Sequence, residues 1–303
     1  MGRNNAKARV SLKNLLFATD FSRYSSAALP YALSIAHKYR SKIFAVHVVS
    51  LAPAPDIPPA GPGKPAIAEA VSEAKQAMAS LKPQWRGIRH QTLIRKGDIW
   101  NELSKVIHEK KIDLVVTGTH GRRGVSKALL GSVAEKVFRH AGCPVLTLGP
   151  NVSGEPESIA DIHAVLYPTD FTPHSLAALP YAISLAQENL AHLYLLHVMA
   201  SGEDLALVAS FESLLRELVP RATELWCEPK VYVEPGGPAE KILEMAEELE
   251  VDLIVLGTKR QPEVPSPIHP PLAAAYRVVT EAICPVMTIP ARSREVLARS
   301  AAD

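Results

Sequence analysis

The chain has 303 residues and a mass of 32.8 kDa, a size that suits two average globular domains. Hydrophobic residues make up 47% and charged residues 21%, a composition that excludes disordered and fibrous proteins. Aromatic residues, at 6%, are too few for surfaces that bind carbohydrate or stack on nucleic-acid bases. The three cysteines are widely spaced and form neither a disulfide framework nor a CxxC metal site. Apolar runs are too short for a membrane span or a signal peptide, so we expect a cytoplasmic protein.

The net charge of +2 hides an asymmetry between the two halves of the chain. Residues 1–150 contain 23 lysines and arginines against 9 acidic residues, a net charge of +14. Residues 151–303 contain 10 against 22, a net charge of −12. A basic half can bind polyanions, but pairing of the oppositely charged halves, within or between chains, and nucleotide binding explain the asymmetry better.

An internal repeat defines the domain organisation. The segment FATDFS at 17–22 recurs as YPTDFT at 167–172, and ALPYALSIA at 28–36 recurs as ALPYAISLA at 178–186. Further along, IDLVV at 112–116 matches VDLIV at 251–255, and CPV at 143–145 matches CPV at 284–286. We therefore predict two tandem domains, residues 1–150 and 159–303, joined by a linker rich in Gly, Pro and Ser.

Each half is predicted to alternate strands and helices. In chain order the first half contains strand Leu15–Thr19, helix Ser25–Tyr39, strand Ile43–Val49, a helix over 66–81, strand Gln91–Arg95, helix Ile99–Lys110, strand Leu114–Gly118, helix Ser132–His140 and strand Val145–Leu148. The second half contains strands Val165–Thr169, Leu193–Val198, Lys230–Val233, Leu253–Gly257 and Val286–Ile289. Continuous apolar strands are typical of a parallel sheet covered on both faces. The prediction is an α/β protein with two doubly wound Rossmann-like domains, each a five-stranded parallel sheet of order 3-2-1-4-5.

Two prolines break the helix pattern. Pro30 and Pro180 lie where the first helix of each half should continue. A proline inside a helix removes a hydrogen bond and kinks the helix, whereas a proline in the first turn is tolerated. A kinked helix and a late helix start both remain open.

The chemistry is predicted to lie after the first and fourth strands, where the strand order reverses. Thr19 and Asp20 follow the first strand. A glycine-rich stretch follows the fourth, in which Gly118 and Gly121 are separated by two residues, and Gly131-Ser132 follow after nine more. Glycines let the backbone approach a ligand closely, and the free N–H groups there and at a helix start can hold phosphate oxygens.

With this motif the sequence resembles the universal stress protein family in its tandem-domain form, from about Leu12 to Pro290. The resemblance implies that the glycine motif binds the phosphates and ribose of ATP, that Asp20 lies near the phosphates or their Mg²⁺ or Mn²⁺ ion, and that adenine contacts the backbone near Val48. The sequence departs from the family's frequent Gly-x-Pro motif after the third strand, because Gly97 is followed by Asp98 and Ile99. The implied set is Ala18, Thr19, Asp20, Val48, Gly97, Thr117, Gly118, Thr119, His120, Gly121, Arg122, Gly131, Ser132 and Val133, with Asp20 as the metal ligand.

The second half keeps the strands but loses the glycine motif. Lys259 and Arg260 replace His120 and Gly121, and Leu272-Ala273 stand in place of Gly131-Ser132. Proline-rich sequence fills the segment between them, and proline offers no N–H donor. We expect one nucleotide per chain, in the first half. A different ligand, an anion at Lys259 and Arg260, is the alternative for the second half.

Several of these residues have a structural alternative. Asp20 can cap the first helix. His47 and His197 occupy matched strand ends and are expected to be structural, and Cys143 and Cys284 are expected to be small packed residues.

The predicted function is that of an ATP-binding regulatory stress-response protein. A nucleotide-independent interaction or dimerisation module and a slow ATPase are the alternatives, and nucleic-acid binding ranks below them. No catalytic residue is predicted, because the chain has no P-loop, nucleophile elbow or HExxH motif. The last strand of each half is an edge, through which we expect association. In the family that the sequence resembles this strand commonly pairs with its counterpart, which implies an intramolecular pseudo-dimer of the two halves. Further dimerisation of chains and an unidentified protein partner are left open.

Overall fold

A computed structural model describes residues 10–51, 64–119, 130–152, 161–200, 202, 204–219, 228–259 and 270–291. Its first half contains β1 (Asn14–Ala18), α1 (Arg23–Tyr39), β2 (Lys42–Ser50), α2 (Lys64–Ser80), a short 3-10 helix (Lys82–Trp85), β3 (Arg89–Gly97), α3 (Ile99–Glu109), β4 (Leu114–Gly118), α4 (Ser132–His140) and β5 (Val145–Leu148). Its second half contains β6 (Ala164–Pro168), α5 (Pro173–Leu176), α6 (Leu179–Asn189), β7 (His192–Met199), a short 3-10 helix (Leu205–Leu207), α7 (Val208–Leu218), β8 (Lys230–Pro235), α8 (Pro238–Glu248), β9 (Leu253–Thr258), α9 (Pro270–Glu281) and β10 (Val286–Pro290).

All ten strands belong to one sheet, in the order β3-β2-β1-β4-β5-β10-β9-β6-β7-β8. Each half has the predicted order 3-2-1-4-5, and the strands within a half are parallel. The predicted α/β fold is therefore confirmed. It differs in one detail, because the two five-stranded sheets are continuous with each other rather than separate.

Apolar side chains fill both faces of the sheet. In β1, Leu15 and Phe17 pack in the cluster that contains α1 and α6, while Leu16 packs on the opposite face with residues of α3 and α4. All five residues of β4 are buried. Helices cover both faces, which explains why the strands read as continuous apolar runs.

The two prolines have different outcomes. In the first half α1 continues through Pro30. In the second half the equivalent segment is split into α5 and α6, and Pro180 lies in the first turn of α6, where its missing N–H costs nothing. The helix of the first half is therefore continuous through its proline, and in the second half a separate helix begins just before Pro180. None of the helices in the described ranges is long and apolar enough to cross a membrane.

The two halves meet along β5 and β10. These strands are antiparallel, and Leu146 is paired with Met287. Both side chains are fully buried, so the contact is apolar and does not rest on the opposite charges of the two halves. The Tyr39 hydroxyl also lies 2.9 Å from the Ser184 hydroxyl, which joins α1 to α6.

Candidate functional site

The turn after β1 is fixed by short side chains that bond its backbone. The Thr19 hydroxyl accepts the N–H of Phe21 at 3.0 Å and lies 3.1 Å from the Ser25 hydroxyl. Phe21 has a φ of 61°, in the left-handed region that bulky residues rarely adopt. Such strained positions persist where the surrounding structure imposes them, commonly at functional sites.

Asp20 is not the cap of α1. The capping residue is Ser22, whose side chain accepts the N–H of Ser25 at 3.3 Å. One carboxylate oxygen of Asp20 accepts the N–H of Ser22 at 3.0 Å, so Asp20 stabilises the turn that precedes the helix. The structural alternative, in which Asp20 caps the helix, is wrong, because α1 begins at Arg23 and its N-cap is Ser22.

Asp170 repeats this geometry in the second half, where it accepts the N–H of Thr172 at 3.0 Å. Burial raises the pKa of Asp170, but hydrogen bonds from Ser175 and Thr172 outweigh it and hold the pKa below the ordinary value. A carboxylate in this turn therefore stays charged at neutral pH.

His47 and His197 hold the same turns from the neighbouring strand. The Nδ1 atom of His47 lies 2.8 Å from the carbonyl oxygen of Thr19, and that of His197 lies 2.9 Å from the carbonyl oxygen of Thr169. The two rings pack on Phe21 and Phe171 at centroid distances of 4.6 Å and 4.8 Å. The contacts are those of a structural role, as predicted for both histidines.

Gly118 lies where the start of α1 crosses the end of β4. A Cβ atom at this position would lie 2.7 Å from the carbonyl oxygen of Tyr24, a distance that side chains do not tolerate. Gly118 is therefore required by the close approach of two backbones, and this approach brings the β1–α1 turn beside the end of β4.

The described ends of the segment between β4 and α4 lie close together. The N–H of Thr119 donates to Leu148 at 2.9 Å, and the N–H of Gly131 donates to the carbonyl of Thr119 at 2.8 Å. The N-cap residue of α4 is Gly131, which has no side chain to cap the helix. The first N–H groups of α4 therefore point out from the helix start, beside Thr119, as donors for an anion.

Apolar residues form a second side of the site. Val48 and, in part, Ala18, Ile99, Trp100 and Val133 pack in one cluster beneath the carboxyl ends of the strands. The next residue of the predicted set, Gly97, ends β3 with a φ of 143°, in the range that favours glycine. A Cβ atom there would also lie 3.4 Å from Glu102, in ordinary contact.

The structure brings most of the predicted set to the carboxyl edge of the first five strands. Ala18, Thr19, Asp20, Thr117, Gly118 and Thr119 lie at the ends of β1 and β4, Gly131, Ser132 and Val133 begin α4, and Val48 and Gly97 lie at the ends of β2 and β3. His120, Gly121 and Arg122 lie outside the described residues.

One contact to this edge comes from the second half and was not predicted. The N–H of Leu130, the residue before Gly131, donates to the Tyr276 hydroxyl of α9 at 3.0 Å. The Tyr276 ring also packs edge-on against Phe138 of α4, at a centroid distance of 6.4 Å. A contact across 146 residues has no local signature in the sequence, and only the folded chain reveals it.

The second half retains a cavity of about 350 Å³ at the equivalent edge. Leu196, Val198, Ile242 and Leu256 supply apolar walls, and polar lining comes from Asp170, Thr172, His174 and Lys259. Helix α9 begins three residues earlier than α4 does in the aligned repeat, and its first two residues are prolines. The helix start therefore lacks two N–H donors that α4 has, although space for a ligand remains.

The two buried cysteines give a first prediction. Burial raises the pKa of the Cys143 and Cys284 thiols to about 12. The reactive thiolate exists only above the pKa, so we expect neither residue of the native protein to be alkylated by iodoacetamide at pH 8. Peptide mapping by mass spectrometry would check this, with urea-unfolded protein as the control in which both are labelled. Modification of either residue in the native protein would contradict their role as packed side chains.

Comparison with known proteins identifies the repeat. The sequence model of the universal stress protein family matches residues 11–148 and 162–290. A universal stress protein of Methanocaldococcus jannaschii is 33% identical over 139 residues, which are 45% of this chain and 81% of the relative. One from Mycolicibacterium smegmatis is 27% identical over 263 residues, which are 80% of this chain and 86% of the relative. The crystal structure of a universal stress protein from Archaeoglobus fulgidus shares the fold, with a TM-score of 0.71, 24% identity, and coverage of 92% of this chain and 98% of the other. The chain therefore belongs to the universal stress protein family and contains two of its domains in tandem.

Proposed function

We propose that the protein is a cytoplasmic ATP-binding regulator of the stress response, with one nucleotide site in the domain of residues 1–150. The domain of residues 159–303 would support the structure or the assembly of the protein. The observation that carries the proposal is the meeting of Thr19, Asp20, Gly118, Thr119 and the uncapped start of α4 at one sheet edge. This edge lies where the strand order reverses, the usual ligand position in doubly wound folds.

Two kinds of surface at this edge suit the two ends of a nucleotide. The start of α4 offers N–H donors and a positive dipole end to phosphate oxygens. The cluster around Val48 and Val133 offers apolar surface to a base, and the sheet backbone beside it offers hydrogen bonds. His120, Gly121 and Arg122 would complete the phosphate contacts, as the family resemblance implies.

A metal ion would be held jointly with the phosphates. Among the described residues there is no cluster of three or more His, Cys, Asp or Glu side chains able to hold a metal alone. Mg²⁺ is commonly bound by one or two carboxylates together with substrate phosphates, and Asp20 would supply such a carboxylate. Mn²⁺ would suit the same ligands. A bound ion would neutralise phosphate charge, and Asp20 would keep that ion beside the β1–α1 turn.

Calorimetric titration of nucleotide-free protein with Mg-ATP tests the proposal, with GTP and AMP for comparison. We expect a stoichiometry near one, and loss of binding in Gly121→Arg, which copies the residue of the second half. A stoichiometry near two would mean that the cavity of the second domain also takes ATP. Absence of binding would refute the nucleotide site and favour a ligand-independent interaction module.

Substitution of Asp20 by asparagine separates its charge from its turn contact. Asparagine keeps an oxygen that can accept the Ser22 N–H, so the turn should persist. We expect Mg-ATP affinity to fall by about threefold to fivefold, as for one partly exposed charge interaction, and metal-free ATP affinity to fall less. Calorimetry with Mg²⁺ and with EDTA measures the two affinities, and Asp170→Asn is the matched control. Equal losses of ATP affinity with Mg²⁺ and with EDTA would mean that Asp20 acts only through its hydrogen bond in the turn.

A further inference from the structure

Part of the charge asymmetry of the chain lies at the amino ends of the strands. In the first half, Lys13, Lys38, Arg40, Arg89, Lys110 and Lys111 surround the starts of β1, β2, β3 and β4. All but Lys110 are exposed. We name this surface the basic edge. Its residues are not used by the proposed nucleotide site, which lies at the carboxyl ends of the same strands.

Short hydrogen bonds hold the basic edge together. Arg89 donates to the carbonyl oxygen of Arg40 at 2.6 Å, and the Asn14 amide donates to that of Lys110 at 3.0 Å. The carboxylate of Asp113 is occupied, because it accepts the backbone N–H groups of Lys13 and Asn14 at 2.8 Å and 2.9 Å. These contacts join the segments that carry the cations, with Asp113 among them.

The amino ends of the strands in the second half are mostly acidic, although Lys230 begins β8. Glu188, Glu228, Glu247, Glu248 and Glu250 lie around the starts of β7, β8 and β9, and we name this surface the acidic edge. Two pairs of positions are directly comparable. Lys38 and Glu188 lie in the last turns of α1 and α6, and Lys111 and Glu250 follow α3 and α8 with the same φ of 48°.

Local helix electrostatics explains the basic edge but not the acidic one. Cations are favourable near helix C-termini, because the helix dipole is negative there, and Lys38 and Lys110 fit this rule. Glu247 and Glu248 end α8, and the last turn of that helix contains no basic residue. These glutamates oppose the dipole of their own helix. Lys241, the cation of that helix that acts on Glu248, is paired with Glu244, so a cation from another molecule would meet an acidic surface there.

The two charged edges lie on opposite sides of one sheet. Because β5 and β10 are antiparallel, the strands of the two halves run in opposite directions. The amino ends of β1–β5 and those of β6–β10 therefore lie at opposite edges. From this arrangement we infer that the basic edge of one chain binds the acidic edge of a second copy, in a head-to-tail contact. Such a contact uses two different surfaces and leaves one of each free at the ends, so it can add further chains.

A nucleic acid would fit the basic edge, but it would give the acidic edge no partner. A second copy of the chain accounts for both surfaces with one interaction. The contact depends on exposed charges, so it should be weak and should be lost as salt shortens the range of electrostatic attraction. It does not depend on the proposed nucleotide site, and the experiments use nucleotide-free protein.

A charge swap tests the inference. One variant is Lys38→Glu with Lys111→Glu, and the other is Glu228→Lys with Glu250→Lys. Sedimentation velocity would be measured over a range of protein concentrations at about 0.01 M salt, where the Debye length is about 30 Å, and at about 1 M, where it is about 3 Å. We expect the unmodified chain to associate at low salt only. Each variant alone should associate at least about tenfold more weakly, and an equimolar mixture of the two should associate again.

A net-charge control and a nucleic-acid measurement complete the design. The control variant, Lys75→Glu with Lys136→Glu, changes the net charge as much as the first variant. These two lysines are exposed on α2 and α4, outside the basic edge, so association should persist. An unmodified chain that stays monomeric at low salt would overturn the inference, as would a mixture that fails to associate. Binding of single-stranded or duplex DNA that is lost in Lys38→Glu with Lys111→Glu, without self-association of the unmodified chain, would assign the basic edge to nucleic acid instead.

Discussion

Replacing Gly118 by alanine is expected to abolish measurable ATP binding and to destabilise the first domain. The added Cβ atom would lie 2.7 Å from the carbonyl oxygen of Tyr24 and 3.2 Å from the backbone nitrogen of Ser25. These are backbone atoms near the start of α1, so a rotamer change cannot relieve the clash, and α1 or β4 must move. Overpacking of this kind costs about 1–3 kcal/mol of folding free energy. Because the same movement separates Thr19 and Asp20 from Thr119, we expect the Mg-ATP affinity to fall by at least about tenfold, or about 1.4 kcal/mol.

Gly257→Ala is the matched control for this prediction. Gly257 lies at the same position of β9, where a Cβ atom would come even closer to the carbonyl oxygen of His174. We expect it to lower the unfolding temperature in the same way but to leave the affinity for Mg-ATP unchanged, since the proposed site lies in the first domain. Thermal unfolding and calorimetry measure the two effects. Equal affinity losses in both variants would show that any destabilisation of the chain impairs binding. An unchanged affinity for Mg-ATP in Gly118→Ala would mean that ATP does not bind at the ends of β1 and β4.

The fold could be predicted from the sequence because the apolar strands and the repeat can both be read directly in the residue pattern. Every predicted strand of the first half begins and ends within one residue of an observed one, except β3, which starts two residues earlier and ends two residues later than predicted. That strand is a sheet edge with half-exposed residues, so its ends carry little apolar signal. The choice of Ser22 over Asp20 as helix cap depends on the φ of Phe21, which the residue types alone do not specify.

The second half shows a limit of motif reasoning. Loss of the glycine motif predicts a changed phosphate side, and α9 begins with two prolines. It does not indicate whether space remains, because Leu196 of the sheet and Ile242 of α8, which lie outside the motif, also form walls of the cavity, beside Lys259 within the motif. The Nδ1 atom of His174, which lines this cavity, is buried and has no hydrogen-bond partner among the described residues. The cavity therefore has both apolar walls and an unsatisfied polar atom.

Tyr276→Phe is expected to weaken ATP binding, although Tyr276 belongs to the other domain. The substitution keeps the ring against Phe138 and removes the hydroxyl that accepts the Leu130 N–H at 3.0 Å. This hydrogen bond is partly buried, and a buried donor left without a partner costs about 1–3 kcal/mol, so we expect a cost near the lower end of that range. Leu130, just before Gly131, should then leave its position. Part of the free energy of ATP binding would be used to restore that position, so we expect the affinity to fall by about tenfold.

Calorimetry and hydrogen exchange distinguish this positioning role from general destabilisation. Exchange at the amides of Leu130 and the first turn of α4 should become faster in Tyr276→Phe, while amides of β9 and β10 keep their protection. Thr280→Val is the matched control on the same helix, because its hydroxyl bonds only to carbonyl oxygens of α9, at 3.0 Å and 3.1 Å. An unchanged ATP affinity in Tyr276→Phe, with binding by the unmodified chain intact, would reject the positioning role and leave the nucleotide site standing. A selective loss would mean that the second domain, which lacks the glycine motif, has kept a part in nucleotide binding through the helix that it packs against α4.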